Sequence, residues 1–163
     1  MTGPSRLREP AATNETTSVV VGIDVGGTKT LGVLMNSAGG VMAEVRRPTV
    51  AGAGPVIALL CDVVAELCSG LDAPPRGVGI GAAGLVDHAG CLRRAPNLSV
   101  ADDFEIAALL SPELGLPVVV DNDANCAARA ELHLGAARGV SDAVLVALGT
   151  GIGGAVIIGG EVR

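Results

Sequence analysis

Aromatic residues are almost absent from this chain. Phe104 is the only one among 163 residues, and there is no tryptophan or tyrosine. Sites that stack nucleic-acid bases or sugar rings rely on exposed aromatic side chains, so this deficit weakens both kinds of hypothesis. Hydrophobic residues still make up 49% of the sequence, enough for a core. That core has to be aliphatic.

Basic charge is also scarce. Eleven Lys and Arg residues stand against 17 Asp and Glu, which gives a formal net charge of -6, and no basic cluster offsets it. We therefore expect no nucleic-acid surface. The apolar runs are interrupted by Gly and Asp, so none approaches the roughly 18 residues of a membrane helix. The first residues lack a charged head followed by an apolar stretch, so we expect neither a secretion signal nor membrane binding.

The cysteines do not suggest a metal site or a disulfide framework. There are four, and no two form a Cys-x-x-Cys pair: Cys61, Cys68, Cys91 and Cys126. The first two are seven apart on one face of a predicted helix, and we interpret them as small core residues. Their pattern fits a reduced, cytoplasmic compartment best.

The order of predicted elements indicates an α/β fold with a mixed sheet. Residues 1–17 are polar and without periodicity, which predicts a flexible tail. Strands are predicted at 19–24, 30–35, 41–45, 77–81, 117–120, 143–148 and 155–158. Helices are predicted at 55–71, 104–110 and 124–134. The first three strands are joined too closely for crossover helices, so they should form an antiparallel meander.

The first loop whose residues are suited to ligand binding runs from Asp24 to Thr30. Gly26 and Gly27 allow the backbone to approach a ligand and turn several N–H groups towards one point, which is how a phosphate is bound. Thr28 and Lys29 can add a hydroxyl and a charge, and Asp24 can hold a metal-bound water. An ordinary Gly-Gly hairpin turn explains this loop about equally well when it is taken alone.

A second glycine-rich loop, Gly149–Gly154, also follows a predicted strand. It lacks the Gly-Lys-Ser/Thr ending of a Walker A motif. A strand follows it rather than a helix, which counts against a dinucleotide fold. Two Gly-Thr turns after two strands suggest a two-lobed phosphate clamp.

The third loop is Asp121-Asn122-Asp123, with Asn125 close behind. It ends an apolar strand, and phosphoryl transfer needs a carboxylate that accepts the proton of the attacking hydroxyl. A neighbouring Asn offers a donor and an acceptor to a sugar hydroxyl. Helix capping is the alternative interpretation, and one of the three residues is expected to cap the helix from 124.

Two weaker loops complete the set. Gly84 lies in the small-residue stretch after the strand at 77–81, where a ligand can touch the backbone. Asn97 lies in a turn bounded by Pro96. Taken alone, each is more typical of a plain loop than of a binding site.

These motifs together resemble the ROK family (repressor, open reading frame, kinase), and among its members the bacterial ATP-dependent glucokinases. The resemblance covers residues 18–163 and rests on four segments in the family's order. They are Gly22–Lys29, Ala95–Leu98, Asp121–Asn125 and Leu148–Gly154.

The resemblance implies an actin-like (ribonuclease H-like) ATPase fold that binds ATP between two lobes. Asp123 would be the base that deprotonates the glucose 6-hydroxyl, and Gly84, Asn97 and Asn122 would contact the sugar. The phosphate and Mg²⁺ loops would be formed by Asp24, Gly26, Gly27, Thr28, Lys29, Gly149, Thr150 and Gly151. The implied partners are a sugar and ATP, in a cytoplasmic protein of carbohydrate metabolism.

Members of the family are roughly twice as long. Their second part carries sugar-binding Glu and His residues, a Cys-rich zinc motif and the adenosine pocket. On that basis 18–140 is expected to be an N-terminal lobe and 141–163 the start of an incomplete C-terminal lobe. We expect an exposed apolar face there, weak or no turnover, and zinc binding or a homodimer only in a full-length form.

Alternatives remain within the family. The substrate could be another hexose or an N-acetylhexosamine, and ATP is favoured over polyphosphate because there is no basic track for a polyanion. A non-catalytic, sugar-sensing ROK protein or repressor is the second class. Such repressors carry a helix-turn-helix before this domain, and only about 17 polar residues precede the first strand here.

Overall fold

The computed structural model describes residues 18–149 and 151–163, so the predicted tail at 1–17 and Thr150 lie outside the described residues. The strands are β1 (Val19–Val25), β2 (Lys29–Asn36), β3 (Val41–Pro48), β4 (Val78–Ala82), β5 (Leu85–Val86), β6 (Leu92–Arg94), β7 (Val118–Asn122), β8 (Ala143–Leu148), β9 (Ile152–Ile158) and β10 (Glu161–Val162). The helices are α1 (Ala53–Leu67), α2 (Ile106–Leu114) and α3 (Asp123–Leu134).

A five-stranded mixed sheet forms the larger part of the structure, with the strand order β3-β2-β1-β4-β7. The predicted antiparallel meander of β1, β2 and β3 is confirmed, and β1, β4 and β7 run parallel to one another. Their register aligns Val25 with Ala82 and Ala82 with Asn122. The three strands therefore end at the same edge, where open α/β sheets place their ligands.

The main core lies between this sheet and helices α1 and α2. Leu60, Ile80 and Ile106 are among its fully buried side chains. Gly32 of β2 lets α1 pack closely, because a Cβ there would lie 2.5 Å from Cγ1 of Val63. The core is aliphatic apart from Phe104, as the composition predicts.

Removing one methylene from this core is expected to destabilise the protein measurably. Ile80→Val should lower the free energy of unfolding by about 1 kcal/mol, because the residue is 1% exposed and its neighbours cannot fully close the gap. Ile158→Val is the matched control, since Ile158 is 52% exposed. Denaturant unfolding of both variants checks this, and equal losses would contradict the assignment of the core.

Helix α3 packs between the main sheet and a second, three-stranded sheet of order β10-β9-β8. On one face of the second sheet, Ala155 and Ile157 are buried with Ala128 of α3. The opposite face is apolar and open, with Leu148 80% and Ile152 82% exposed. The exposed apolar face expected within 141–163 is confirmed.

Several predicted boundaries need correction. Helix α1 begins at Ala53 and ends at Leu67, whereas 55–71 was expected. Helix α2 was expected at 104–110 but continues to Leu114, where Gly115 ends it with a φ of 64°. Strand β9 begins at Ile152 rather than at residue 155, since Gly153 and Gly154 pair with β8. The second glycine-rich loop is therefore shorter than predicted.

Two short strands escaped prediction altogether. Strands β5 and β6 pair as a hairpin between β4 and α2. Strands of two and three residues carry too little alternation to be recognised from a sequence.

All four cysteines are free. Cys61 and Cys68 are partly buried against the main core, as expected. No helix within the described residues is long and apolar enough to cross a membrane.

Candidate active site

An open cleft of about 520 Å³ lies at the edge where β1, β4 and β7 end, facing the turn between β8 and β9. Every predicted site residue that the structure describes lines it: Asp24, Gly26, Gly27, Thr28, Lys29, Gly84, Asn97, Asn122, Asp123, Gly149 and Gly151. Thr150 lies outside the described residues. The three loops that are far apart in sequence thus meet in one place, while the role of each residue stays a prediction.

Asn122 ends β7 and caps α3. Its Oδ1 accepts from the N–H groups of Ala124 (2.9 Å) and Asn125 (3.2 Å). Its Nδ2 donates to the Gly84 carbonyl and to Asp123 Oδ1, both at 2.9 Å. The expectation that one residue of this triplet is a helix cap is confirmed. Since the amide already makes four hydrogen bonds, a sugar would have to replace one of them to be bound by this side chain.

Asp121 lies outside the cleft, although the sequence suggested a role in ligand binding for the whole Asp121-Asn122-Asp123 triplet. Its carboxylate accepts hydrogen bonds from the Asn125 side chain (2.9 Å) and from Arg129 (3.2 Å), both on α3. Asp121 and Asn125 therefore fasten the helix to the strand.

Asp123 is the exposed carboxylate at the first position of α3. Its Oδ1 accepts from Asn122 Nδ2 and from the Ala124 N–H, both at 2.9 Å. Within the described residues its Oδ2 makes no hydrogen bond. One oxygen is thus held by the protein and the other is available to a ligand.

Asp24 faces Asp123 from the end of β1. Its position in the cleft partly removes the carboxyl from water, which raises its pKa; repulsion by Asp123 raises the pKa further, and Lys29 lowers it. The Asp24 carboxylate offers the kind of oxygen ligand that Mg²⁺ takes together with substrate phosphates. The residues thus fit the predicted Mg²⁺.

The pKa of Asp24 is expected to respond to its two neighbours in opposite directions. Asp123→Asn removes a repelling charge and should lower it, while Lys29→Met removes an attracting charge and should raise it. Carboxyl ¹³C titration by NMR measures both, with Asp72→Asn as a distant control. Shifts of the same sign in the two variants would contradict this arrangement.

The first loop approaches Asn97 very closely. A Cβ at Gly27 would lie 2.4 Å from the Asn97 carbonyl oxygen and 3.0 Å from its Cβ. Gly84 is similarly crowded, since a Cβ there would lie 2.5 Å from the Arg94 carbonyl oxygen. The glycines therefore allow the backbones of three loops to be in contact, which larger residues would prevent.

The hairpin of β5 and β6 is the part of the site that sequence reasoning missed. It carries the chain from Gly84 out to Asn97 and back into the cleft. Arg93 ties it together through ion pairs with Asp87 and Asp103, each at 2.7 Å. The sequence signals this hairpin only through three charged residues, Asp87, Arg93 and Asp103. Nothing in their spacing distinguishes them from charges on a solvated surface.

In the second loop, the Gly149 N–H donates to the Gly151 carbonyl at 2.9 Å. No atom lies within 4 Å of a Cβ built at either glycine, so this side of the cleft is roomy. Within 18–149 and 151–163, no group of three His, Cys, Asp or Glu residues is placed to hold a metal ion.

Comparison with known proteins agrees with the resemblance seen in the motifs. The model of the ROK family matches residues 20–163. The chain belongs to the ROK family. Its fold, the actin-like ATPase fold of the ROK sugar kinases, is therefore the predicted one.

Glucokinases are prominent among its relatives. The chain is 32% identical to the glucokinase of Streptomyces coelicolor over 148 residues, which is 89% of this chain and 45% of that one. A ROK family glucokinase of Streptomyces griseus, solved in complex with glucose and AMPPNP, is 36% identical with a TM-score of 0.83, over 90% of this chain and 46% of that one. The chain spans about half the length of the curated relatives it matches.

The similarity is not confined to glucokinases. An N-acetylmannosamine kinase of Escherichia coli is 34% identical over 143 residues, covering 86% of this chain and 48% of that one. A ROK family transcriptional regulator, a homologue of the E. coli MLC protein, shares the fold with a TM-score of 0.82 at 21% identity, over 93% of this chain and 39% of that one. Family membership therefore does not single out one sugar.

Proposed function

We propose that this chain binds a hexose and the phosphates of ATP in its cleft, and serves the transfer of the γ-phosphoryl group to the 6-hydroxyl of glucose. The observation that carries the proposal is the position of Asp123. Its Oδ2 makes no hydrogen bond within the described residues, and Asp123 lines the same cleft as Gly84, Asn97 and the two glycine-rich turns. A carboxylate between an acceptor site and a phosphate site is what phosphoryl transfer to a hydroxyl requires.

Asp123 acts as the general base in this proposal. Its Oδ2 accepts the proton of the sugar hydroxyl as the oxygen of that hydroxyl bonds to the γ-phosphorus and the bond from phosphorus to the leaving ADP oxygen breaks. Oδ1 stays bonded to Asn122 and to the Ala124 N–H at the helix N-terminus, which keeps the carboxylate oriented. Orientation of this kind supplies much of the rate in phosphoryl transfer.

The sugar lies against the loops of Gly84 and Asn97. Asn122 holds Gly84 and Asp123 in place through its Nδ2 hydrogen bonds, and its predicted sugar contact would exchange one of these for a hydroxyl. The phosphates lie against the turns at Gly26–Lys29 and Gly149–Gly151. Bound Mg²⁺ would be held on the side of Asp24 and would offset the charge that two carboxylates and the phosphates bring together.

Glucose is the favoured sugar, because the glucokinases of two Streptomyces species match this chain over nearly its whole length. The match to an N-acetylmannosamine kinase supports an N-acetylhexosamine as the next candidate. The proposal also includes a cytoplasmic location and ATP as the phosphoryl donor, with a homodimer only in a full-length form.

A coupled assay of ADP release tests it. With Mg-ATP present, weak or no ADP release is expected from the 163-residue protein, whereas addition of glucose to a full-length form should raise ADP release above its sugar-free rate. Mannose, fructose and the N-acetylhexosamines are compared in parallel. Isothermal titration with glucose accompanies the assay. Absence of both sugar binding and sugar-dependent ADP release would overturn the proposal.

Sugar binding without turnover in the full-length form would instead favour the second candidate, a non-catalytic sugar-sensing ROK protein. The similarity to a putative xylose repressor of a Caldicellulosiruptor species, 32% identical over 91% of this chain and 39% of that one, supports that alternative. In that case Asp123→Asn would leave every measured behaviour except sugar affinity unchanged.

A further inference from the structure

The turn between β1 and β2 is not closed as a two-residue hairpin normally is. In such a hairpin the residues flanking the turn exchange two hydrogen bonds. Here the Gly26 N–H donates to the Lys29 carbonyl at 3.0 Å, but the return bond from the Lys29 N–H to the Gly26 carbonyl is missing from the described contacts. Only one of the two hydrogen bonds expected between Gly26 and Lys29 is therefore present.

The Gly26 carbonyl is held by Thr49, which follows β3. The Thr49 hydroxyl donates to it at 2.7 Å, and the Thr49 N–H donates to the Thr28 carbonyl at 3.1 Å. The carbonyls of Gly26 and Thr28 therefore both point towards Thr49. Thr49 is not among the residues that line the cleft.

The planar trans peptide then decides where the N–H groups point. In a trans peptide the N–H lies opposite the C=O, so the Gly27 and Lys29 N–H groups point away from Thr49. Outside the strand ladders, neither donates to another group within the described residues. Gly27 and Lys29 both line the cleft, so two unpaired amides belong to its phosphate side.

A buried hydroxyl supports Thr49 from behind. Thr30 is 0% exposed, and its Oγ1 lies 2.9 Å from Thr49 Oγ1. Thr49 has a single hydroxyl proton, which goes to Gly26, so Thr30 must be the donor in this pair. The two threonines form a relay that ends on the turn.

We infer that Thr49, supported by Thr30, is a positioning residue that keeps this turn open for phosphate. It occupies the carbonyl that would otherwise close the hairpin, and so frees the Gly27 and Lys29 amides for the oxygens of a nucleotide. The inference rests on the proposed function only in naming the phosphate of ATP as the ligand of these amides.

The test uses variants that separate positioning from stability. Thr49→Val leaves the Thr30 hydroxyl buried and unpaired, which destabilises the protein by itself. The double variant Thr30→Val with Thr49→Val removes both hydroxyls and should regain most of the lost stability. Titration with Mg-AMPPNP should nevertheless give a Kd about tenfold higher in both, equivalent to one lost positioning interaction.

Two controls complete the comparison. Thr49→Ser keeps the hydroxyl and should restore the wild-type Kd. Ser111→Ala removes a hydroxyl bond of the same kind, to the Leu116 carbonyl at 2.6 Å, outside the cleft, and should leave the Kd unchanged. Wild-type affinity in the double variant, or no rescue by Ser, would overturn the inference.

Amide hydrogen exchange gives a reading that does not depend on nucleotide binding. Without the Thr49 hydroxyl, the Lys29 N–H can bond the released Gly26 carbonyl and close the hairpin. Exchange at Lys29 should therefore slow severalfold in the double variant, whereas general loosening would speed it. If wild-type protein fails to bind Mg-AMPPNP, the proposed function loses its donor site, and slower or faster exchange at Lys29 still decides the role of Thr49.

Discussion

In a full-length form, Asp123→Asn is expected to reduce glucose-dependent ADP formation by about 10²- to 10⁴-fold, the usual contribution of a general base. The amide cannot accept the hydroxyl proton, but it keeps the size of the side chain. Its oxygen can still accept from Asn122 and from the Ala124 N–H, so the start of α3 should stay folded. Glucose affinity by isothermal titration should change by less than about threefold, which would place the loss in the chemical step.

Asp72→Asn is the matched control, because Asp72 is exposed and does not line the cleft. It should retain wild-type turnover. If Asp123→Asn turned over glucose as fast as this control, Asp123 would not be the base and the proposed mechanism would be wrong.

Gly27→Ala is expected to damage the cleft through a steric effect alone. The new methyl group would lie 2.4 Å from the Asn97 carbonyl oxygen, a backbone atom that cannot turn aside as a side chain can. The Asn97 loop must shift, at a cost of about 1–3 kcal/mol in the free energy of unfolding. Because that loop is a wall of the proposed sugar site, glucose affinity should also fall by about tenfold or more.

Gly79→Ala separates this effect from the general consequence of losing a glycine. Gly79 lies in β4, and no atom lies within 4 Å of a Cβ built there. Thermal unfolding and glucose titration should both be close to wild type for Gly79→Ala. Equal behaviour of the two variants would show that the contact between Gly27 and Asn97 does not shape the cleft.

Much of the site was predictable because its residues end strands. An apolar strand followed by Asp121, Asn122 and Asp123 places polar groups at a sheet edge, and two glycine-rich turns after strands do the same. Parallel strands bring such ends together, and the structure places Asp24 and Asp123 in one cleft. The family resemblance then added Gly84 and Asn97, which are plain loop residues by themselves.

The other parts of the site depend on side-chain contacts that leave no periodic pattern in the sequence. The hairpin of β5 and β6 is held by ion pairs of Arg93 with two aspartates, and exposed charges carry no pattern that distinguishes them from a solvated surface. The different roles of Asp121 and Asp123 could not be predicted from the sequence either. One fastens α3 through Arg129 and the other faces the cleft, although both are the same residue type two positions apart.

The proposed role of Thr49 could not be predicted from the sequence either. Nothing in its neighbourhood in the sequence suggests a link to Gly26, which is 23 residues away. The link arises because β3 returns alongside β2 and delivers Thr49 to the turn. Residues that act through another residue's backbone emerge only once the register of the strands is known.

The most direct test of the central claim is to map two ligands onto the amide spectrum of the protein, glucose and Mg-AMPPNP added separately. A cleft with a sugar side and a phosphate side predicts that glucose shifts the amide signals of Gly84, Asn97 and Asp123. It predicts that Mg-AMPPNP shifts those of Gly27, Lys29, Gly149 and Gly151. Ligand shifts confined to other parts of the chain, or no shifts with either ligand, would contradict the account.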